Sequence, residues 1–145
     1  TRPGSILTKK DVVDAATVIE CPPMAIVGVV GYGDTPRGPR PLTTVWAAHL
    51  DKSFKRRCYK TWYSSKHQAF TNYTIRLAEA GKIIDSELAR ITKYCSIIRF
   101  VAHTQPNLVP VKACKAHVME IQVNCGSVEE KVAFATGLMA KTVNV

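Results

Sequence analysis

The order of hydrophobic and polar positions in the first third of the chain predicts three β-strands. Residues 12–20, 24–32 and 42–50 are rich in apolar and β-branched side chains, which favour strands. Pro22 and Pro23 lack backbone N–H groups, so they bend the chain between the first two strands. Residues 24–32 are apolar at successive positions, and this pattern is typical of a strand covered on both faces.

The middle of the chain is predicted to form two helices. Asp51 or Ser53 can cap a first, long helix, and Gly81 is well placed to end it. Residues 85–95 form a second helix with its apolar side chains on one side. At about 100° per residue, the apolar side chains of the first helix share one arc, so its aromatic rings are expected to lie mostly in the core. The arc contains Phe54, Cys58, Tyr59, Trp62, Tyr63, Ala69, Phe70, Tyr73 and Leu77.

The last third predicts two strands, a helix and the start of another strand. Residues 97–103 are typical of a buried strand, and residues 117–123 alternate with the period of a half-buried one. Ser127 and Glu130 have the spacing of a capping box, which begins a helix. Residues 142–145 begin a final strand. The order of elements predicts the α+β class.

Length and composition predict one soluble globular unit. The 145 residues, 46% of them hydrophobic, are enough for one core. The longest apolar run, residues 25–30, is far shorter than the ~18 residues that span a bilayer, and no leader is expected. The five cysteines form no CxxC pair, so we expect free thiols in a reducing compartment, the cytosol, and no zinc ribbon.

The net charge of +9 is concentrated in one segment. Residues 51–76 carry seven of the 20 Lys and Arg and one of the 11 acidic residues, which gives this segment +6. No acidic residue lies between Lys52 and Glu79, whereas an ordinary exposed helix carries mixed charges. Because like charges repel, the cluster indicates that phosphates neutralise it in the working complex.

Cations on three segments are candidates for phosphate contact. On the long helix, Arg56, Arg57 and Lys60 form a stripe separate from the apolar arc, while Lys55 and Lys66 lie within that arc. The other segments are the proline-rich loop of residues 33–41 and a loop near residue 112. The candidate residues are Arg37, Arg40, Lys55, Arg56, Arg57, Lys60, Lys66, Lys112 and Lys115.

Other functions have weaker support in the residues. The basic stripe also fits a plain solvated surface or a helix lying on a membrane. Cys114 and His117 form a lone CxxH with His103 nearby, but the strand pattern makes His117 a core or edge histidine. The glycines of residues 28–38 do not form GxGxxG, and the acids form no pair for acid/base work. We therefore expect neither enzymatic activity, nor a metal, cofactor or small-molecule substrate.

Longer segments closely resemble the ribosomal protein L3 family of the eukaryotic large subunit. The resemblance runs in collinear order over essentially the whole chain, which makes it far more specific than any short motif. The segments are RPGS at 2–5, KKDVVDAATVIECPPMAIVGVVGY at 9–32, TPRG at 35–38, LTTVWAAHL at 42–50, KRRCYKTWYSSKHQAFTNY at 55–73, VAHTQ at 101–105 and KAHVMEIQVNCGSVEEKV at 115–132.

The resemblance implies a structural, rRNA-binding component of the 60S subunit that supports assembly and touches neighbouring ribosomal proteins. It implies a cytoplasmic location in the ribosome and a nucleolar one during assembly. It also implies that residues 1–50 contribute strands of a translation-protein β-barrel, residues 51–142 an α/β insertion with about three helices, and residues 143–145 a returning strand. Relative to the family pattern, the chain resembles an internal fragment, and Pro39, Pro41 and Cys125 depart from the usual turns. The alternative function is a protein-docking module whose basic stripe meets acidic partners.

Overall fold

The computed structural model describes residues 2–79, 82–124 and 126–144, which form an antiparallel sheet packed with α-helices. This mixture confirms the α+β prediction. Two short 3-10 turns cover Ile6–Thr8 and Pro106–Leu108. In the described residues the strands are β1 (Met24–Gly33), β2 (Arg40–Trp46), β3 (Ile97–His103), β4 (Val118–Gln122) and β5 (Thr142–Val143), and the helices are α1 (Lys52–Arg57), α2 (Thr71–Glu79), α3 (Lys82–Tyr94) and α4 (Val128–Leu138).

Strand β1 is the centre of the sheet. The strand order is β2-β1-β3-β4, and β5 pairs with the first two residues of β1. The residues from Ile26 to Gly31 are buried, which confirms the prediction of a strand covered on both faces. An irregularity in the pairing of β1 with β3 between Ile26 and Gly28 shifts the side-chain alternation.

Each face of β1 contributes to a different core. Ile26 and Val29 belong to the core under α3 and α4, where Ile91 of α3 is fully buried. Val27 and Val30 belong to the core on the other face. That second core is covered by the segment that leads into α1, through the side chains of Ala47, Leu50 and Phe54.

Two strand predictions need correction. Residues 12–20 are exposed and have no secondary structure, so the strand predicted there is wrong. The two edges of β1 are taken by β2 and β3, and β5 pairs with its first residues, so residues 12–20 do not pair with β1. The third predicted strand begins two residues earlier than expected and ends at Trp46, before the chain turns into α1.

The prediction of a single long helix in the middle of the chain is also wrong. Helix α1 ends at Arg57, residues 58–70 are irregular, and α2 begins at Thr71. The irregular segment is rich in Tyr, Trp, Thr and Ser, which are poor helix formers, and His67 and Phe70 have φ of 54° and 62°, outside the helical region. Gly81, the predicted end, lies outside the described residues.

The remaining predictions hold in outline. Helix α3 and strands β3 and β4 lie where they were expected, and the capping box of Ser127 and Glu130 begins α4. Strand β4 is exposed along its whole length, so the half-buried pattern is wrong there. Strands from both sides of residue 50 share one sheet, and the division into barrel and insertion stays a prediction. No helix in the described ranges combines the length and hydropathy needed to cross a membrane.

Candidate nucleic-acid interface

Helix α1 is anchored at its first turn, and this fixes the position of its arginines. The Asp51 carboxylate caps the helix by accepting hydrogen bonds from the Ser53 amide, at 3.2 Å, and from the Ser53 hydroxyl. Phe54 is buried, and its ring centroid lies 5.5 Å from that of Trp46 and 5.7 Å from that of His103. Arg56 and Arg57 follow in the last turn.

The surroundings of the Asp51 carboxyl favour its ionised form. Burial alone would raise its pKa, but hydrogen bonds donated by the Ser53 hydroxyl and by the Ser53 and Lys52 amides, together with the nearby His103, hold the pKa below its usual 3.8. The carboxylate is therefore charged at neutral pH, where it stabilises the helix start.

The irregular segment after α1 is organised around the Trp62 ring. His67 stacks on this ring at 4.1 Å between centroids and 19° between planes, and Tyr59 meets it edge-on at 5.3 Å. The Trp62 carbonyl accepts hydrogen bonds from the amide and hydroxyl of Ser65 and contacts Nε2 of His67 at 2.7 Å. These contacts give the segment a defined shape without a helix.

Arg56 is held between two aromatic rings. Its guanidinium carbon lies 5.5 Å from the Trp62 centroid and 5.3 Å from the Tyr63 centroid. Its Nη2 donates a hydrogen bond of 2.9 Å to the Tyr63 hydroxyl. Tyr63 itself is 89% exposed. The prediction that these aromatic side chains lie in the core therefore holds for Phe54 but is wrong for Tyr63.

Arg57 has a structural contact that the sequence did not suggest. Its Nε donates a hydrogen bond of 2.5 Å to the Ala116 carbonyl, and its Nη2 lies 3.2 Å from Nδ1 of His117. This contact ties α1 to the loop before β4 and brings Lys115 of that loop beside α1. The two segments are far apart in sequence, so no local pattern could have indicated it.

Three cations from separate segments meet at one cavity of about 420 Å³. Arg56 comes from α1, Lys60 from the irregular segment and Lys115 from the loop before β4. The ion pairs in the described part of the chain join Arg90 to Glu87 at 3.9 Å and Arg99 to Glu120 at 3.6 Å, so none reaches this cavity. The cavity lining is Arg56, Lys60, Thr61, Trp62, Tyr63, Ser64 and Lys115.

The Arg99 contacts show how a cation is neutralised elsewhere on the same molecule. Besides its ion pair, Arg99 lies 4.9 Å from the Tyr32 ring centroid, and the Tyr32 hydroxyl donates a 2.6 Å hydrogen bond to Glu120. That hydrogen bond to the Glu120 carboxylate is the main cause that raises the pKa of Tyr32. Among the described side chains, none that lines the Arg56 cavity is acidic and could do the same.

The loop arginines lie on a second surface, where Asp34 lines the same cavity as Arg40. Arg37 is exposed in a turn that the Thr35 hydroxyl closes by donating to the Gly38 carbonyl at 2.6 Å. Arg40 begins β2 and lines a cavity of about 570 Å³ together with Arg90 and Tyr94 of α3. Strand β2, which is roughly 20 Å long, lies between Arg40 and the segment that leads into α1.

Sequence reasoning missed Arg90 and Tyr94 at this second cavity. The signal for them was weak, because both lie on the exposed side of an ordinary amphipathic helix. Of the remaining candidates, Lys66 and Lys112 are exposed and Lys55 is partly buried. The structure thus groups Arg56, Lys60 and Lys115 but keeps the loop arginines apart, and phosphate contact at each stays a prediction.

The cysteine and histidine residues do not form a metal centre in the described ranges. No group of three or more His, Cys, Asp and Glu is arranged there to hold a metal ion. Burial raises the pKa of the Cys58 and Cys95 thiols, so neither is an activated nucleophile. His103 is buried against Phe54, and His117 is exposed at the start of β4. The described cysteines 21, 58, 95 and 114 are free thiols.

Cations gathered on one surface of a chain are typical of proteins that bind polyanions. Residues 1–145 match the family model described as Ribosomal protein L3. The chain therefore belongs to the ribosomal protein L3 family, as its resemblance predicted.

Individual relatives agree with the family match. The chain is 55% identical over 144 residues to large ribosomal subunit protein uL3A of Schizosaccharomyces pombe. It is 54% identical over 144 residues to uL3 of Debaryomyces hansenii and 55% over 145 residues to uL3 of Aspergillus fumigatus. Each alignment covers 99% of this chain, and the chain spans 37% of the length of each relative.

Proposed function

We propose that the chain is a structural, rRNA-binding part of a large ribosomal subunit protein that contributes to translation without a catalytic step of its own. The observation that carries the proposal is the convergence of Arg56, Lys60 and Lys115 on one cavity whose described lining contains no carboxylate. The names of the relatives, which are large ribosomal subunit proteins, point to rRNA as the polyanion.

Phosphate neutralisation explains the arrangement physically. Three cations at one cavity repel each other, and an RNA backbone removes that repulsion while it releases its counterions to solvent. The Arg56 guanidinium is held by two rings, so little side-chain entropy remains to be lost on binding. A second contact with the RNA backbone is formed by Arg37 and Arg40. The basic surface is extended by Lys55, Lys66 and Lys112.

The same proposal gives the partners and the location. The chain binds large-subunit rRNA and neighbouring ribosomal proteins, and it supports the assembly of the subunit. It functions in the cytoplasmic ribosome and is nucleolar during assembly. It requires no cofactor or small-molecule substrate.

Salt dependence of RNA binding tests the proposal. If about four of the candidate cations meet phosphates, log affinity should fall with log salt concentration with a slope of about −3 to −4. Lys60→Gln together with Lys115→Gln should make the slope shallower by about 1.5 to 2. The measurement is a filter-binding or anisotropy titration with a large-subunit rRNA fragment at several salt concentrations.

Lys10→Gln together with Lys141→Gln is the matched control. Both lysines are exposed and lie outside the candidate set. Their replacement removes the same amount of positive charge as the Lys60 and Lys115 double variant. An equal change of slope in both double variants would show that only the total charge matters. A flat salt response of the unmodified chain would contradict the proposal.

A protein-docking module is the second candidate, and the exposed strand β4 favours it. The Thr104 amide donates a hydrogen bond to the His117 carbonyl, and the Val123 amide donates one to the Ile98 carbonyl. Because such bonds alternate along an antiparallel pair, every second residue of β4 directs its backbone N–H and C=O groups away from β3. These groups can pair with a partner strand. Crosslinking in assembled subunits separates the two functions, because the Lys60 and Lys115 double variant should lose rRNA crosslinks under the first and keep them under the second, in which the rRNA contacts lie elsewhere.

A further inference from the structure

We propose that the cavity at the end of α1 binds one unpaired nucleobase of RNA together with its phosphate, with the Tyr63 ring as the stacking surface. The proposal rests on the rRNA binding proposed above and specifies which part of the RNA this site takes.

Tyr63 has the exposure and environment of a stacking surface. The Arg56 guanidinium lies over its ring at 5.3 Å from the centroid, and the residue is still 89% exposed, so the ring is open to a ligand. Nucleobases stack on such rings irrespective of sequence, because every base has a π-face.

Trp62 offers no free face to the base, and Arg56 holds Tyr63 in place. Its ring is already covered by His67, Tyr59 and Arg56. The hydroxyl of Tyr63 is fixed by Nη2 of Arg56, which is itself placed by α1. The stacking surface is therefore positioned before the ligand arrives, and binding does not have to order it.

The cations place a phosphate next to the stacked base. Lys60 and Lys115 line the same cavity as Tyr63, and its volume of about 420 Å³ lies within the range of small-ligand sites, about 300–1,000 Å³. A paired base in an RNA helix hides its faces in the stack, so only an unpaired or extruded nucleotide can occupy both the ring and the cations.

An abasic RNA separates base stacking from phosphate binding. The probes are a short adenosine oligoribonucleotide and the same oligomer with every base removed, which keeps all its phosphates. The unmodified chain should bind the adenosine oligomer about 5- to 100-fold more tightly, as expected for one base stacked on an aromatic ring. Tyr63→Leu should lower the affinity for the adenosine oligomer by a similar factor and leave the salt slope unchanged.

One further variant and one further measurement make the test specific. Tyr63→Phe keeps the ring but loses the hydroxyl, so it should bind the adenosine oligomer nearly as well as the unmodified chain does. For the abasic oligomer, Tyr63→Leu should cause no further loss, since the interaction that it removes is already absent. Far-UV circular dichroism should show an unchanged fold, because Tyr63 is on the surface.

The outcomes distinguish this inference from the function on which it rests. Equal affinity for the two oligomers, with a steep salt slope, would overturn base stacking and leave phosphate binding in place. Absence of salt-dependent binding to both oligomers would overturn the proposed function as well. An effect of Tyr63→Phe as large as that of Tyr63→Leu would also overturn the stacking proposal, because it would assign the loss to the Arg56 hydrogen bond.

Discussion

At the scale of single residues, Arg56 and Arg57 are neighbours in sequence with different roles. Arg57 binds a backbone carbonyl of the loop before β4 and thereby holds two segments together. Arg56 lies between two rings at the cavity and has no carboxylate partner in the described chain. A helical wheel places both residues on one basic stripe, so it could not separate a structural arginine from a candidate phosphate ligand.

Asp51 provides a residue-scale prediction about pH. Because its folded-state pKa lies below the usual 3.8, the carboxylate stabilises the fold above that pH, and this stabilisation is lost as the pH falls below it. Asp51→Asn keeps a good N-cap but cannot ionise. Its free energy of unfolding should therefore be lower than that of the unmodified chain at neutral pH, and this difference should shrink as the pH falls. Urea unfolding above and below pH 3.8 measures this.

Asp51→Ala serves as the comparison for that experiment. Loss of the cap should reduce the free energy of unfolding by about 1 kcal/mol at neutral pH. A deficit of Asp51→Asn that stays constant across the acid range would show that the charge of the carboxylate contributes nothing.

At the scale of elements, the molecule depends on close approach of β1 and β2. Gly28 pairs with Trp46, and a Cβ atom added at Gly28 would lie 2.8 Å from the Val45 carbonyl oxygen and 2.9 Å from the Trp46 ring. Trp46 is in turn fixed by Tyr73, whose hydroxyl donates to its carbonyl at 2.8 Å and accepts from its amide at 3.0 Å. The β1 and β2 pair therefore positions the aromatic core under α1.

Gly28→Ala tests this element-scale requirement. The new methyl group meets backbone that cannot move without breaking the strand pairing, so the free energy of unfolding should fall by about 1–3 kcal/mol. Gly137→Ala in α4 is the matched control, since a Cβ there meets nothing within 4 Å, and it should stabilise the helix by up to about 1 kcal/mol. Thermal unfolding of both variants measures the difference, and equal effects would refute the close-approach argument.

At the scale of the whole molecule, much apolar surface remains uncovered. Val13 and Val18 are 97% and 96% exposed, and Met119 of the edge strand β4 is 53% exposed. On the edge strand, exposed apolar side chains occur beside backbone groups with no paired strand in the described chain. Such an edge is a template for pairing with another strand.

The purified chain should therefore self-associate as its concentration rises. Met119→Lys together with Ile121→Lys should reduce association, because charged side chains on an edge strand oppose pairing. Leu108→Lys changes an exposed apolar residue outside the strands and is the control. Sedimentation velocity over a concentration series measures association, and a monomer at every concentration would contradict the expectation.

The sequence alone determined the features that depend on neighbours along the chain. The buried strand β1, strand β3, the Asp51 cap and the capping box of α4 follow from local pattern and were predicted. The family assignment also came from the order of residues, because long collinear segments carry more information than any motif. The excess of cations near α1 was also visible in the sequence, because these cations are close to each other along the chain.

The tertiary structure decided where the long helix breaks and which cations meet. Residues 58–70 have a helical period but lie outside a helix, because contacts of Trp62 with His67 and Ser65 replace helical hydrogen bonds. Lys115 joins Arg56 and Lys60 because the Arg57 contact and a hydrogen bond from the Ala116 amide to the Ser53 carbonyl hold the loop before β4 against α1. Period and composition record what each residue prefers locally, whereas the site is formed by segments far apart in sequence, whose meeting depends on packing across the whole sheet.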